Sequence, residues 1–161
     1  FTYWGPQAYN GLYVDGKPSA RMPEFAALNR EIAKFGPALL QLDSLAVYHT
    51  APLPYGGEAM PATAPVRIIG QGQFVLGLFG TSGQPSAFMV VNRDYRQNSM
   101  AAVKVGLPGR YVQELDRQTG KWTKAGALGR DRTMNIQLRP GDGRLFRINN
   151  EGGVLTTPHE K

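Results

Sequence analysis

Phe74-Val75-Leu76-Gly77-Leu78-Phe79 and Ala87-Phe88-Met89-Val90-Val91, joined through Gly80-Thr81-Ser82-Gly83, decide the fold class of this chain. Both stretches are short, rich in β-branched and aromatic residues, and separated by turn residues, the pattern of strand, turn, strand. Phe74, Leu76 and Leu78 share one face, and Val75 and Phe79 share the other. Ala87, Met89 and Val91 likewise oppose Phe88 and Val90. A strand that is apolar on both faces has to be covered on both. One face therefore belongs to a sandwich core, and the other needs a second cover.

Outward from this pair the same rhythm continues. Strands are expected near 66–70, 73–79, 86–92, 101–107, 111–115, 121–125, 133–138 and 144–148, with an earlier one over Leu45-Ala46-Val47-Tyr48-His49. Pro108-Gly109, Thr119-Gly120 and Pro140-Gly141-Asp142-Gly143 supply the turns. Met134, Ile136 and Leu138 alternate with Thr133, Asn135 and Gln137, and Val103, Val105 and Leu107 alternate around Lys104. Those strands keep one wet face. Closely spaced short strands with 20 glycines and 12 prolines among 161 residues indicate an antiparallel sandwich.

Upstream the period changes. Phe25, Leu28, Ile32, Phe35, Leu39 and Leu42 recur at spacings of three and four, one apolar stripe at helical period. Pro23 and Glu24 suit a helix N-terminus. Gly36-Pro37 interrupts the stripe without shifting its phase, which predicts a kink or a break with immediate restart. This helix, over 23–42, is the nearest cover for the second face of the central strands. The expected fold is thus mainly β: an antiparallel β-sandwich of about eight strands, with one N-terminal amphipathic, kinked helix packed on a sheet.

Composition narrows the chemistry. With 42% apolar and 19% charged residues the chain is a folding sequence, and no apolar run approaches the roughly twenty residues of a membrane-spanning helix. Phe1-Thr2-Tyr3-Trp4, followed by Gly5-Pro6, does not read as a signal peptide, and the chain reads as a piece of something longer. Cysteine is absent, which removes disulfides, thiolate metal sites and cysteine nucleophiles. The only histidines are His49 and His159, so no metal or other cofactor is expected.

The net charge of +6 is unevenly placed: residues 61–161 hold fourteen basic and seven acidic side chains, whereas residues 1–60 hold four and five. The basic side chains are scattered singly and match no nucleic-acid motif, so neither nucleic acid nor membrane is expected as partner. A soluble arginine-rich surface, an anionic polysaccharide partner and an acidic partner surface are the readings left.

No G-x-S-x-G elbow is present, and Gly70-Gln71-Gly72 leads into a strand where a phosphate-binding loop would lead into a helix. Asp94, Asp116 and Asp131 each neighbour an arginine in sequence, surroundings that lower a carboxyl pKa and do not suit a general acid. No catalytic residue is therefore nominated. Aromatic rings stack on the apolar faces of sugars, while arginine and amide groups bond their hydroxyls. On that chemistry Trp122, Tyr95, Tyr111, Tyr55 and Arg117 are candidate carbohydrate contacts. Trp122 shares a face with Lys124 in an extended strand and reads either as a solvent-facing platform or as a lid on the sandwich edge. Tyr95, in Asn92-Arg93-Asp94-Tyr95-Arg96-Gln97-Asn98, reads equally as binding residue or loop structure.

Several stretches together resemble the C-terminal end of a bacterial glycoside hydrolase with a (β/α)8 barrel. Phe1-Thr2-Tyr3-Trp4 resembles the last barrel strand; Asn10-Gly11-Leu12-Tyr13, Leu28-Asn29-Arg30-Glu31-Ile32 and Phe35-Gly36-Pro37 resemble the final loop and helix. Val47-Tyr48-His49-Thr50 with Pro52-Leu53-Pro54 resembles the crossing into a C-terminal β-sandwich, whose own motifs Val90-Val91-Asn92-Arg93-Asp94, Glu114-Leu115-Asp116, Thr119-Gly120-Lys121-Trp122 and Pro140-Gly141-Asp142-Gly143-Arg144-Leu145-Phe146 resemble.

The resemblance implies a remnant of the barrel end at residues 1–44, a sandwich domain at 45–150 with a proline-rich loop at 51–65, and a flexible tail at 151–161. It also implies that the catalytic carboxylates lie on barrel strands outside this chain, that the parent's catalytic barrel is a partner, and that the protein is extracellular or periplasmic. Trp4 matches by order an aromatic that stacks on substrate in such barrels. The function so implied is a non-catalytic accessory domain that binds a polysaccharide or oligosaccharide. The alternative is a structural domain that buttresses the barrel and binds no sugar.

Overall fold

The computed structural model describes residues 12–14 and 16–150. Its elements run β1 (Tyr13–Val14), β2 (Lys17–Pro18), α1 (Met22–Leu39), β3 (Asp43–His49), β4 (Val66–Ile68), β5 (Phe74–Thr81), β6 (Gln84–Asn92), β7 (Ser99–Val105), β8 (Tyr111–Leu115), β9 (Trp122–Ala127), β10 (Thr133–Leu138) and β11 (Gly143–Asn149). β1 and β2 form a small hairpin. The remaining nine strands form two antiparallel sheets, ordered β3-β5-β6-β11-β8-β9 and β10-β7-β4. The architecture is the expected mainly β sandwich with one helix.

Alternation decides what lies between the sheets. Phe74, Leu76 and Leu78 of β5 pair in register with Asn92, Val90 and Phe88 of β6, and all six are buried. Phe146 and Ile148 of β11 and Val112 of β8 continue that inner face. Phe88 and Phe146 stack with ring centroids 5.3 Å apart. The three-stranded sheet answers with Val66, Ile68, Ala101, Val103, Val105, Ile136 and Leu138. Asn135 and Gln137 of β10 are exposed, so that sheet keeps the wet face its alternation implies.

The six-stranded sheet also carries an apolar outer face. Leu145 and Ala87 are buried there, and Val75, Phe79, Met89 and Val91 are partly buried. Helix α1 lies against this face: Leu28, Ile32, Phe35 and Leu39 border a groove of about 480 Å³ whose other wall includes Met89 and the β10–β11 turn. The cover is partial. No helix residue is fully buried, and Leu28 and Ile32 remain 46% and 54% exposed.

The helix departs from expectation at its C-terminal end. It runs through Gly36-Pro37 and stops two residues later, without a break and restart. Proline at 37 has no N–H to give the Ala33 carbonyl, and the helix ends within one turn of it. The Leu40 N–H closes the last turn on the Gly36 carbonyl at 2.9 Å, and Leu42 lies beyond the helix. The hairpin β1–β2 occupies a stretch read as loop, turning at Gly16 with φ +72°, a left-handed value suited to glycine. Phe1–Trp4 and the tail 151–161 lie outside the described residues.

Candidate functional site

Three turns meet at the end of the sandwich where β6 and β8 finish and β9 and β11 begin. They are residues 93–98, 116–121 and 139–142. Asn92, fully buried, organises two of them. Its Nδ2 donates to the carbonyls of Gln97 at 2.8 Å and Arg139 at 3.0 Å, and its Oδ1 accepts from the Asp94 N–H at 3.0 Å. Asp94 Oδ1 then accepts from Arg96 N at 2.8 Å and Gln97 N at 3.2 Å, folding the turn that carries Tyr95. The Asp94 carbonyl accepts from Gly141 N at 3.0 Å, joining this turn to the next. Short polar side chains that bond backbone two or three residues on are the ordinary makers of such turns.

The 116–121 turn is built the same way. Asp116 Oδ1 accepts from Thr119 N at 2.7 Å, Thr119 Oγ1 at 2.8 Å and Gln118 N at 3.1 Å. The backbone and hydroxyl donors of Thr119, helped by Gln118 N–H, hold the Asp116 carboxyl below its ordinary pKa, against a smaller opposing effect of desolvation. Gly120, with φ +70°, completes the turn. Arg117 projects from it to the Asp142 carboxylate, to the Gly143 carbonyl at 2.9 Å and to Glu31 of α1 at 3.7 Å. This guanidinium fastens the helix, the β8–β9 turn and the β10–β11 turn together.

Beside these turns opens a polar cleft of about 680 Å³, lined by Glu31, Asn98, Glu114, Arg117, Gln118, Gln137, Arg139, Asp142 and Arg144. Three arginines face three carboxylates, so the cleft is close to neutral although the chain carries +6. Glu114 and Arg144 form a two-point pair, Nε to Oε1 at 2.6 Å and Nη2 to Oε2. The hydrogen bond that Arg144 donates to Glu114 raises the Arg144 pKa further, outweighing partial burial.

Glu114 and Asp142 both border the cleft, but each binds an arginine: both oxygens of Glu114 are engaged, and Oδ1 of Asp142 accepts from Arg117. In this arrangement the acids position guanidinium groups. Among the described residues no three His, Asp or Glu side chains are grouped to hold a metal ion, and no helix is long and apolar enough to cross a membrane.

The nominated aromatics do not form one platform. Tyr95, 72% exposed, stands on the 93–98 turn with the Arg96 guanidinium 5.0 Å from its ring centroid. Tyr55 stands fully exposed in the proline-rich loop. That loop is fastened by Arg93, which donates to the carbonyls of Thr50 at 3.2 Å and of Pro52, and by Thr50 Oγ1, which accepts from Phe74 N at 2.7 Å. Tyr111 is half-buried at the far end of β8, with Arg110 and Lys124 each 5.9 Å from its ring.

Trp122 shares the outer sheet face with Lys124, as their spacing implies. It is half-buried, with the Arg147 guanidinium 4.5 Å from its ring centroid. That placement matches the edge lid better than the open platform. Trp4 lies outside the described residues.

Of the six nominated residues, the structure therefore brings Arg117 to the cleft and Tyr95 to a turn joined to its wall. Sequence reasoning passed over Asn92, Asp142, Glu114 and Arg144 as site-builders. Asn92 and Asp142 sat in recognised turn motifs, whereas the pairing of Glu114 with Arg144 spans thirty residues and has no local signal. Comparison of the chain with known protein families, with curated proteins and with solved structures finds no match.

Proposed function

We propose that this chain is the C-terminal part of a bacterial glycoside hydrolase, and that its sandwich is a non-catalytic accessory module that binds a polysaccharide or oligosaccharide at the polar cleft. The catalytic carboxylates, in this reading, belong to a barrel outside the chain, and the protein acts outside the cytoplasm. The cleft carries the reading. Its volume of about 680 Å³ is within the range of small-ligand sites, and its walls combine exposed amides with the Arg117 and Arg144 guanidinium groups, each held by a carboxylate. Asn98, Gln118, Gln137 and Arg139 present hydrogen-bonding groups to the cleft. Tyr95 adds an exposed ring on a neighbouring turn.

Affinity electrophoresis across a panel of neutral and acidic polysaccharides tests this. Retention is expected with at least one glycan, with a fall of about tenfold in affinity for Tyr95→Ala, the loss of one ring stack. Tyr55→Ala should bind as the parent does. Equal retention of the Tyr95→Ala chain would exclude Tyr95 as a contact, and equal retention of a chain carrying both Gln118→Ala and Arg139→Ala would remove the cleft as the binding place. Hydrolysis of any glycan by the chain alone would overturn the non-catalytic assignment.

The second reading, a buttress that binds no sugar, draws on the outer face. Leu28 and Ile32 of the helix and Val47 of the edge strand β3 are each about half exposed, apolar surface suited to cover by a neighbouring domain. Absence of retention on every glycan would favour it.

A further inference from the structure

A second, smaller recess lies on the outer sheet face, between the end of α1 and the strands β9 and β11. It measures about 220 Å³, and Gln41, Thr81, Ser86, Trp122 and Arg147 are among its lining residues. Among the described residues no acidic side chain lines it. We propose that this recess binds a single oxyanion group, a sulfate or a carboxylate, on the Arg147 guanidinium.

Arg147 is held in place by neutral partners. Its Nε donates to Gln113 Oε1 at 2.7 Å, and its guanidinium lies 4.5 Å from the Trp122 ring centroid. Stacking on indole fixes the plane of the group and leaves its edge free for two-point recognition. Arg117 and Arg144, on neighbouring elements, each have a carboxylate. Arg147 has none among the described residues.

The Gln113 amide and the indole ring replace part of the hydration this part-buried cation has lost, but neither carries a counter-charge. Burial accordingly lowers the Arg147 pKa, with no carboxylate to raise it again. An oxyanion would restore the missing charge. The hydroxyls of Thr81 and Ser86 and the amide of Gln41 line the same recess and are neutral donors of the kind that complete an oxyanion site.

The site is separate from the cleft and stands whether or not the cleft binds sugar. It is tested on the whole chain by calorimetry, with sodium sulfate against sodium chloride at matched ionic strength, and with glucuronate against glucose. Saturable binding of sulfate and glucuronate, absent with chloride and glucose, is the expected result. Arg147→Met should weaken it at least tenfold, and Ser86→Ala about threefold, the loss of one neutral hydrogen bond. Sulfate binding without glucuronate binding would identify a free inorganic anion as occupant and uphold the oxyanion site. The proposal fails if sulfate behaves as chloride does, or if glucose binds as well as glucuronate. Should Arg147→Met not fold, Ser86→Ala and Gln41→Ala decide, and unchanged affinity in both overturns the assignment.

Discussion

Asn92 offers the sharpest test of how the sandwich end is held. Its side chain makes three hydrogen bonds, at 2.8, 3.0 and 3.0 Å, and has no exposed surface. Two of these satisfy the carbonyls of Gln97 and Arg139, and the third satisfies the N–H of Asp94. Asn92→Ala removes all three and gives none of the backbone groups a substitute. At a net value of roughly 1 kcal/mol per bond, the expected loss is about 3 kcal/mol.

For a domain of this size that corresponds to a fall in Tm of about 6–12 °C. Urea titration should show the midpoint move with the slope unchanged, because the surface exposed on unfolding stays the same. Asn92→Asp keeps the shape but gives up both donors and places a charge against two carbonyl oxygens. It should be destabilised at least as much at neutral pH. A loss below 1 kcal/mol for Asn92→Ala would refute the reasoning: water, or a shift of the two turns, would then be satisfying these groups, and the buried amide would not be their organiser.

Arg132 separates side-chain bonding from backbone strain. Its guanidinium donates to the carbonyls of Val105 at 2.8 Å, Gly109 at 2.9 Å and Leu107, while its backbone sits at φ +54°. Arg132→Ala should cost about 2–3 kcal/mol in urea titration, and Arg132→Gly about 1 kcal/mol less, because glycine occupies the left-handed region freely. Glycine proving the more destabilising of the two would show that the left-handed backbone carries no strain. Asp116 gives a pH signature. Its folded pKa is depressed, chiefly by the Thr119 N–H, so its contribution is present above the ordinary carboxylate pKa and fades as pH falls through the depressed value. Amide exchange at Gln118 and Thr119 should quicken over that acidic window in the parent and be pH-independent there in Asp116→Asn, after correction for intrinsic exchange. An identical profile in both chains would mean that the carboxylate is not what orders the turn.

Much of the architecture was legible in sequence because strands announce themselves locally. Period-two alternation in Met134–Leu138 and Val103–Leu107 assigned inner and outer residues correctly, since a residue's face in an extended strand follows from its position alone. The doubly apolar strands 74–79 and 87–91 called for cover on both sides; the inner face has it, and on the outer face the helix supplies only part of it. The turn residues marked the boundaries of nearly every strand, for the same local reason.

Chain-distant relations were not legible. Nothing near Glu114 in sequence says that Arg144 will occupy both of its oxygens, or that Asn92 will bond the Arg139 carbonyl. Trp122 illustrates the limit: sequence placed it correctly on a face with Lys124, and only the approach of Arg147 from β11 and of the helix end turned that face into a recess. Local patterning settles which side of a sheet a residue occupies. What it meets there is decided by the order in which strands pair, and that order arises only when the whole chain has packed.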